Sequence, residues 1–214
     1  MTATVLAKPL STQPLLFSGP DIPGWCWGDL EPHGYDLIMI DPPWRFELYS
    51  EKGEEKSAQA QYKTMSIEEI MAFPVMLLAK PDCLLWMWAT APMLPKQLPV
   101  LAHWGFKFKS EGVWVKTTVN EKVQFGLGYG FRGAHEPIVL GAVGAPQLTH
   151  GVRSVIMGRN HGHSRKPDQA YAAAEQLMPH ARRCDLFSRK NRPGWDCWGD
   201  EVGKYDDQND EVNA

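Results

Sequence analysis

The junction between Asp36-Leu-Ile-Met-Ile40 and Asp41-Pro42-Pro43-Trp44 constrains this chain more than any other stretch. A short, apolar, β-branched run stopped by prolines predicts a buried strand. Two successive prolines remove two backbone N–H donors and stiffen the chain, so the strand ends there. In open α/β sheets, ligands bind beyond the carboxyl ends of the strands. The tetrapeptide is therefore expected at a ligand site. A Pro-rich turn with a buried Trp would use the same residues, and the tetrapeptide alone does not separate the two readings.

The chemistry of the tetrapeptide is unusual. It offers a carboxylate, free carbonyls and an aromatic face, with few donors. That inventory suits an exocyclic amine on a planar base. In adenine the amine lone pair is delocalised into the ring, so the nitrogen is a poor nucleophile. Asp41 can accept one N–H and the Pro42 carbonyl the other, which favours a pyramidal nitrogen able to attack an electrophilic methyl group. Trp44 is expected to stack on the base. Such a site works by positioning and electrostatics. A base within a duplex must be flipped out to reach it.

The rest of the chain reads as one domain of alternating elements. At 214 residues it can bury a sizeable core. Ser66-Ile-Glu-Glu69 is a capping box opening a helix that Pro74 should end or kink. Cys83–Trp88 reads as a buried strand. Pro92–His103 reads as a helix, poor or broken because of Pro95 and Pro99. Strands follow at 107–116, 137–140 and 152–157, then a helix at Asp168–Met178 and strands at 183–187 and 195–198. Residues 1–20 are expected to form an irregular arm with one short strand near Leu15–Phe17, residues 45–63 a lid or binding loop, and residues beyond Tyr205 a disordered tail. The domain boundaries expected are 1–35, 36–201 and 202–214.

Four scattered cysteines without a Cys-x-x-Cys pair argue against a zinc site or a disulfide scaffold. Cys83, Cys184 and Cys197 are expected in the core. His150, His161 and His163 lack accompanying Cys or carboxylate ligands at metal spacing, and no metal is expected. No apolar run reaches a membrane span, and the N-terminus lacks a signal-peptide pattern, so a cytoplasmic location is expected. Net charge is −3, yet residues 107–192 hold 14 basic and 6 acidic side chains between acidic flanks. A basic block of that kind can grip phosphates, although a solvated mixed face reads the same. The stretch 119–134 interleaves glycines with Phe125, Tyr129, Phe131 and Arg132. It does not match the dinucleotide fingerprint. It suits a nucleic-acid strand through stacking and phosphate contact, or it is a surface loop without a ligand.

Taken together, Asp41-Pro-Pro-Trp44, Tyr62-Lys-Thr-Met-Ser66, Trp86-Met-Trp-Ala-Thr90, Trp104-Gly-Phe106, Trp114-Val-Lys-Thr117, His135-Glu136, Ser164-Arg-Lys-Pro-Asp168 and Leu186-Phe-Ser-Arg189 occur in one order. In that order the chain resembles the DPPW (MT-A-type) family of S-adenosylmethionine-dependent N6-adenine methyltransferases, in its bacterial or phage DNA-modifying branch. The resemblance covers about residues 36 to 201. It implies an α/β, three-layer Rossmann-like class I methyltransferase fold with permuted motif order and a mostly parallel sheet with helices on both faces. It implies S-adenosyl-L-methionine as cofactor and nucleic acid as partner, DNA before RNA.

By the same resemblance, Asp41, Pro42, Pro43 and Trp44 are catalytic. Tyr62, Lys116, Arg132, His135 and Glu136 line the substrate side. Asp41, Lys166, Arg189, Asn191, Asp200 and Glu201 hold the cofactor, Lys166 by its carboxylate and Arg189 and Asn191 by its ribose. Asp21 and Ile22 are candidates for the cofactor adenine. The turn Ser188-Arg-Lys-Asn191 departs from the Gly-rich turn usual in amino-methyltransferases. The alternatives are an RNA N6-adenosine methyltransferase, a non-catalytic nucleic-acid-binding partner subunit, and an N4-cytosine methyltransferase. A homodimer would help a small domain grip a duplex.

Overall fold

The computed structural model describes residues 22–45, 64–126, 130–162 and 165–206. The expected N-terminal strand, Asp21, the loop carrying Tyr62, and the acidic tail from 207 onward lie outside the described residues. Those described form seven strands: β1 (Tyr35–Ile40), β2 (Ala79–Trp88), β3 (Lys107–Thr117), β4 (His135–Val143), β5 (Val155–Arg159), β6 (Arg183–Leu186) and β7 (Trp195–Trp198). They also form three α-helices: α1 (Ile67–Met71), α2 (Leu94–His103) and α3 (Asp168–Leu177).

All seven strands join one sheet in the order β5-β3-β4-β2-β1-β6-β7. β1 lies between β2 and β6 and runs parallel to both. β7 continues parallel to β6, and β5 parallel to β3. β4 runs antiparallel to both of its neighbours, β2 and β3. The sheet is therefore mixed, with one reversed strand. That reversal brings the start of β4 to the sheet end where β1, β3 and β6 finish.

Successive strand residues feed opposite faces. Ile38, Ile40, Leu85 and Met87 share one apolar cluster with Ile70 of α1 and Val100 and Leu101 of α2. Leu37, Met39, Leu84 and Trp86 share another with Ala170, Ala174 and Leu177 of α3. The apolar character of residues 37–40 at every position follows, since each face is covered. Cys83 and Cys184 are buried as expected, whereas Cys197 is half-buried.

α1 starts where the capping box predicts. The Ser66 hydroxyl accepts from the Glu69 N–H, and the Glu69 carboxylate accepts from the Ser66 N–H at 2.7 Å. Pro74 stands beyond its end, at the start of a 3-10 turn (Val75–Leu78). α2 continues through Pro99 rather than breaking there. A proline inside a helix costs about 3 kcal/mol. Burial of Val100, Leu101 and Gln97 offsets that cost, and Gln97 clasps Thr90 through two hydrogen bonds.

Tryptophans knit the second cluster. Trp88 meets Trp114 edge-on at 6.1 Å, and the Trp114 indole donates to the Gly158 carbonyl at 2.9 Å, tying β3 to β5. A Cβ on Gly158 would come within 2.7 Å of Pro167. Glycine is required there because β5 and the segment leading into α3 pack backbone against ring. No helix among the described residues is long and apolar enough to cross a membrane.

Met65, the residue before the α1 cap, donates to the Pro43 carbonyl at 2.8 Å. The capping box therefore braces the Asp-Pro-Pro-Trp segment. Ser66→Ala should lower stability by about 1 kcal/mol and Tm by roughly 2–4 °C, read by thermal and urea denaturation; an unchanged Tm contradicts that coupling.

Candidate active site

β1 delivers Asp41 to the end of the sheet, and short contacts fix the tetrapeptide after it. The Asp41 N–H donates to the Leu186 carbonyl at 3.3 Å, and the Trp44 N–H to the Pro42 carbonyl at 2.8 Å. Pro42 is buried. The expected stacking role of Trp44 is not what the structure shows. Trp44 is only 4% exposed, belongs to the apolar core, and donates its indole N–H to the Trp88 carbonyl at 3.2 Å. Its ring anchors the tetrapeptide to β2 instead of presenting a face. Aromatic residues after a strand serve either purpose, and the local sequence does not distinguish them.

Four charged side chains from distant segments form a continuous chain. Lys116 Nζ lies 2.6 Å from Glu136 Oε1. Lys166 Nζ lies 3.1 Å from Glu136 Oε2 and 2.8 Å from Asp41 Oδ2. Lys166 stands just before α3, only 11% exposed, and also lies over the Trp88 ring at 5.1 Å. A cation before a helix N-terminus is disfavoured by the helix dipole, so the two carboxylates and the ring compensate it.

These contacts set the ionisation of the group. Burial raises the Asp41 carboxyl above the usual range, and the Lys166 ammonium opposes that rise. Burial would likewise raise Glu136, but the lysines on either side outweigh it and hold the carboxyl low. Burial opposes the charge on Lys166, yet Asp41 and Glu136 prevail, and the ammonium stays charged across the working pH range.

Asp41 and Lys166 also line a cleft between the ends of β1 and β6, together with Asp185, Phe187, Arg189 and Tyr205. Chain connections leave this point in opposite directions, from β1 to β2 on one side and from β6 to β7 on the other. Such a reversal opens a crevice outside the sheet edge. Phe187 turns the chain at a φ of 62°, the left-handed region that costs a bulky residue strain. Its ring is held by Phe73 at 5.2 Å and Trp198 at 5.4 Å. This left-handed residue stands immediately before Ser188-Arg-Lys-Asn191, the turn that departs from the usual Gly-rich one.

The remaining predicted cofactor residues gather on the rim. Arg189 pairs with Glu201 at 3.0 Å, and Asn191 donates to Asp206 at 2.7 and 2.8 Å, joining the loop after β6 to the turn after β7. Asp200 is exposed on that same turn. Two expected substrate residues lie apart. His135 precedes Glu136 on β4, so its side chain takes the other face of the sheet. Arg132 stacks on Phe125 at 4.8 Å on the connection between β3 and β4.

The sequence reading missed three site residues. Tyr171 of α3 donates to Asp185 Oδ2 at 2.9 Å, and the Arg192 guanidinium lies 3.5 Å over the Tyr171 ring. Burial pushes Asp185 up to about 6, against hydrogen bonds from Ser188 and Tyr171. The Asp-Leu-Phe run at the end of β6 carried a signal for Asp185; nothing local marked Tyr171 or Arg192.

A family model described as MT-A70 matches residues 35–201. The chain thus belongs to the MT-A70 family of methyltransferases. Among relatives, type II methyltransferase M.MunI of Mycoplasma sp is 27% identical over 190 residues, covering 78% of both chains. The human N(6)-adenine-specific methyltransferase METTL4 is 30% identical over 188 residues, 80% of this chain and 38% of that protein. An MT-A70-like N(6)-adenosine-methyltransferase of Arabidopsis thaliana is 29% identical over 173 residues, 78% of this chain and 24% of that protein. The chain spans well under half the length of the two eukaryotic relatives.

Two titrations follow from this geometry. In Lys166→Met the Asp41 carboxyl should titrate at higher pH than in the parent, since its opposing cation is gone. In Tyr171→Phe the Asp185 carboxyl should titrate above its parental value of about 6. The sign is fixed: burying the Asp185 anion costs stability above pH 6, and that cost is relieved as pH falls through 6 toward its unfolded value. Carboxyl-carbon NMR reads both; an unmoved Asp41 resonance in Lys166→Met contradicts the ion chain.

Proposed function

We propose that this chain is an N6-adenine methyltransferase acting on nucleic acid, with S-adenosyl-L-methionine as methyl donor. The observation that carries this reading is the placement of Asp41 in the lining of a cleft at the β1–β6 switch point, with Lys166 holding Asp41 in place. The family and the relatives named for N6-adenine and N6-adenosine methylation support it. We read the fold as the three-layer class I arrangement with permuted motif order. The two apolar clusters, which draw α1 and α2 onto one set of strand residues and α3 onto the alternate set, support helices on both faces.

The cleft suits a zwitterionic nucleoside. It holds cations and carboxylates together with aromatic rings, as methionine, ribose and base moieties require. When bound, the cofactor supplies a sulfonium methyl group as electrophile. Lys166 has three N–H donors; Asp41 and Glu136 engage two, which leaves a third for the cofactor carboxylate. Arg189 and Asn191, fixed by Glu201 and Asp206, border the ribose position.

The target adenine presents N6 to Asp41 and Pro42. The Pro42 carbonyl already accepts the Trp44 N–H, and its second lone pair remains for one amine hydrogen. Asp41 accepts the other. Both acceptors draw the nitrogen lone pair away from the ring and aim it along the cleft. Once methylated, N6 would be cationic and would have to lose a proton. The raised affinity of Asp41 for protons makes it the natural acceptor. Lys166 and Glu136 keep the carboxylate from rotating away.

DNA is the polymer we favour; M.MunI, matched over most of both chains, is named as a type II methyltransferase. RNA is the alternative, and the relatives named for adenosine methylation keep it in view. Methyl incorporation from labelled cofactor into matched DNA and RNA, followed by nucleoside analysis, tests both. The expected product is N6-methyldeoxyadenosine. Asp41→Ala should reduce turnover by at least about 10²-fold, the range set by losing positioned electrostatic groups, while the protein still folds. N4-methylcytosine as product, or full turnover without Asp41, contradicts the proposal. Arg189→Ala should weaken cofactor binding in calorimetry and leave nucleic-acid binding intact; the opposite pattern would remove Arg189 from the cofactor side.

A further inference from the structure

One surface outside the cleft combines exposed rings, a cation and a direct backbone link to the active-site ion chain. β3 ends in a small antiparallel return: Thr117 bridges Val123, and the Gln124 N–H donates to the Lys116 carbonyl at 2.8 Å. On the other side the Lys116 N–H donates to the Ala134 carbonyl at 2.9 Å. This return carries Phe125 at 60% exposure, and Phe131, near its far side, is 92% exposed. Phe125 and Phe131 stand six positions apart on the connection between β3 and β4, both largely open to solvent. Arg132 is laid over the Phe125 ring, its Nε donating to the Gly126 carbonyl at 3.0 Å.

The position of this return decides its partner. Lys116, its root, is the same lysine that pairs with Glu136 and so leads to Lys166 and Asp41. Asn160 ties the return to the segment that leads into Arg165 and Lys166: its N–H donates to the Thr117 carbonyl at 3.0 Å and its amide to Gln124 at 3.2 Å. The rings therefore sit on a structural element continuous with the rim of the cleft. An arginine lies flat on one ring, and residues 107–192 around it hold 14 basic against 6 acidic side chains. That pairing of π-face and cation recognises stacked bases joined by phosphates.

We propose that Phe125, Phe131 and Arg132 form a stacking platform for the nucleotides flanking the target adenine on its own strand. The platform rests on the function proposed above and adds the path of the substrate strand. The two rings take base faces, and Arg132 takes the adjoining phosphate. The platform holds the strand unstacked beside the cleft, so the target base enters without its neighbours competing for it.

The test is anisotropy of a fluorescein-labelled single-stranded oligodeoxynucleotide carrying one adenine, at several salt concentrations, with cofactor binding followed by calorimetry and oligomeric state by sedimentation. Phe125→Leu and Phe131→Leu keep apolar bulk but lose the π-face; each should weaken strand binding by roughly 5- to 100-fold. Phe131→Tyr should bind as the parent does. Arg132→Gln should weaken binding and lower the salt slope by about one. Cofactor affinity should stay unchanged throughout. Leucine variants that bind the strand as tightly as the parent overturn the platform, and so does a change in oligomeric state with strand affinity unchanged, which would give this surface to a second copy. A parent protein that binds cofactor but no strand of DNA or RNA overturns the proposed function itself.

Discussion

A single buried ammonium organises the site. Lys166 reaches Asp41 at the end of β1 and Glu136 at the start of β4, and Glu136 is shared with Lys116 of β3. Each group is costly alone in this setting, because burial disfavours its charge. Together two cations and two anions neutralise one another. Removing one member of this half-buried set leaves its partner uncompensated and costs stability. The arrangement thus holds the Asp41 side chain, opposes the rise that burial imposes on its carboxyl, and joins β1 to the opposite half of the sheet. Positioning of the Asp41 carboxylate and cohesion of the sheet end rest on the same contacts.

The topology explains why this cluster borders a cleft. β1 and β6 are parallel neighbours whose connections diverge, and the reversed strand β4 brings Glu136 to the same end. At the floor, the left-handed Phe187 lets the chain leave β6 steeply, and its ring is clamped between Phe73 and Trp198. Strain at one residue is thereby held by packing at two others. Asp185 and Tyr171 supply a second buried polar pair beside this turn, so the two ends of the cleft differ: one is governed by the Lys166 ion chain, the other by a neutral hydroxyl on a carboxylate.

Much of this was legible in the chain. The apolar run 36–40 and the prolines after it specified β1 and its end, because period and donor loss are local properties. The capping box at Ser66 and Glu69 was legible for the same reason, and the family resemblance placed Asp41, Glu136 and Lys166 among the site residues. Their pairing was not legible, since Asp41 and Lys166 meet only once β1 and α3 share a sheet end. The reversed direction of β4 leaves no mark on a nine-residue apolar strand. Trp44 was read as a stacking face, yet the core claimed it, because burial of an indole depends on what packs over it from β2. His135 fell on the wrong face once the register of β4 was set by Glu136. Pro99 was read as a breaker, and tertiary burial of α2 overrode it.

In the proposed complex, N6 of adenine is received by Asp41 and the Pro42 carbonyl while the methyl donor occupies the cleft at β6. A crystal structure with a bisubstrate analogue, in which N6 of adenosine is linked to the methionine portion of the cofactor, tests it directly. The result expected is N6 within about 3 Å of an Asp41 carboxylate oxygen and of the Pro42 carbonyl, with the amino-acid portion beside Lys166. An analogue bound with its adenine edge turned away from Asp41, or seated outside the β1–β6 cleft, would contradict the account.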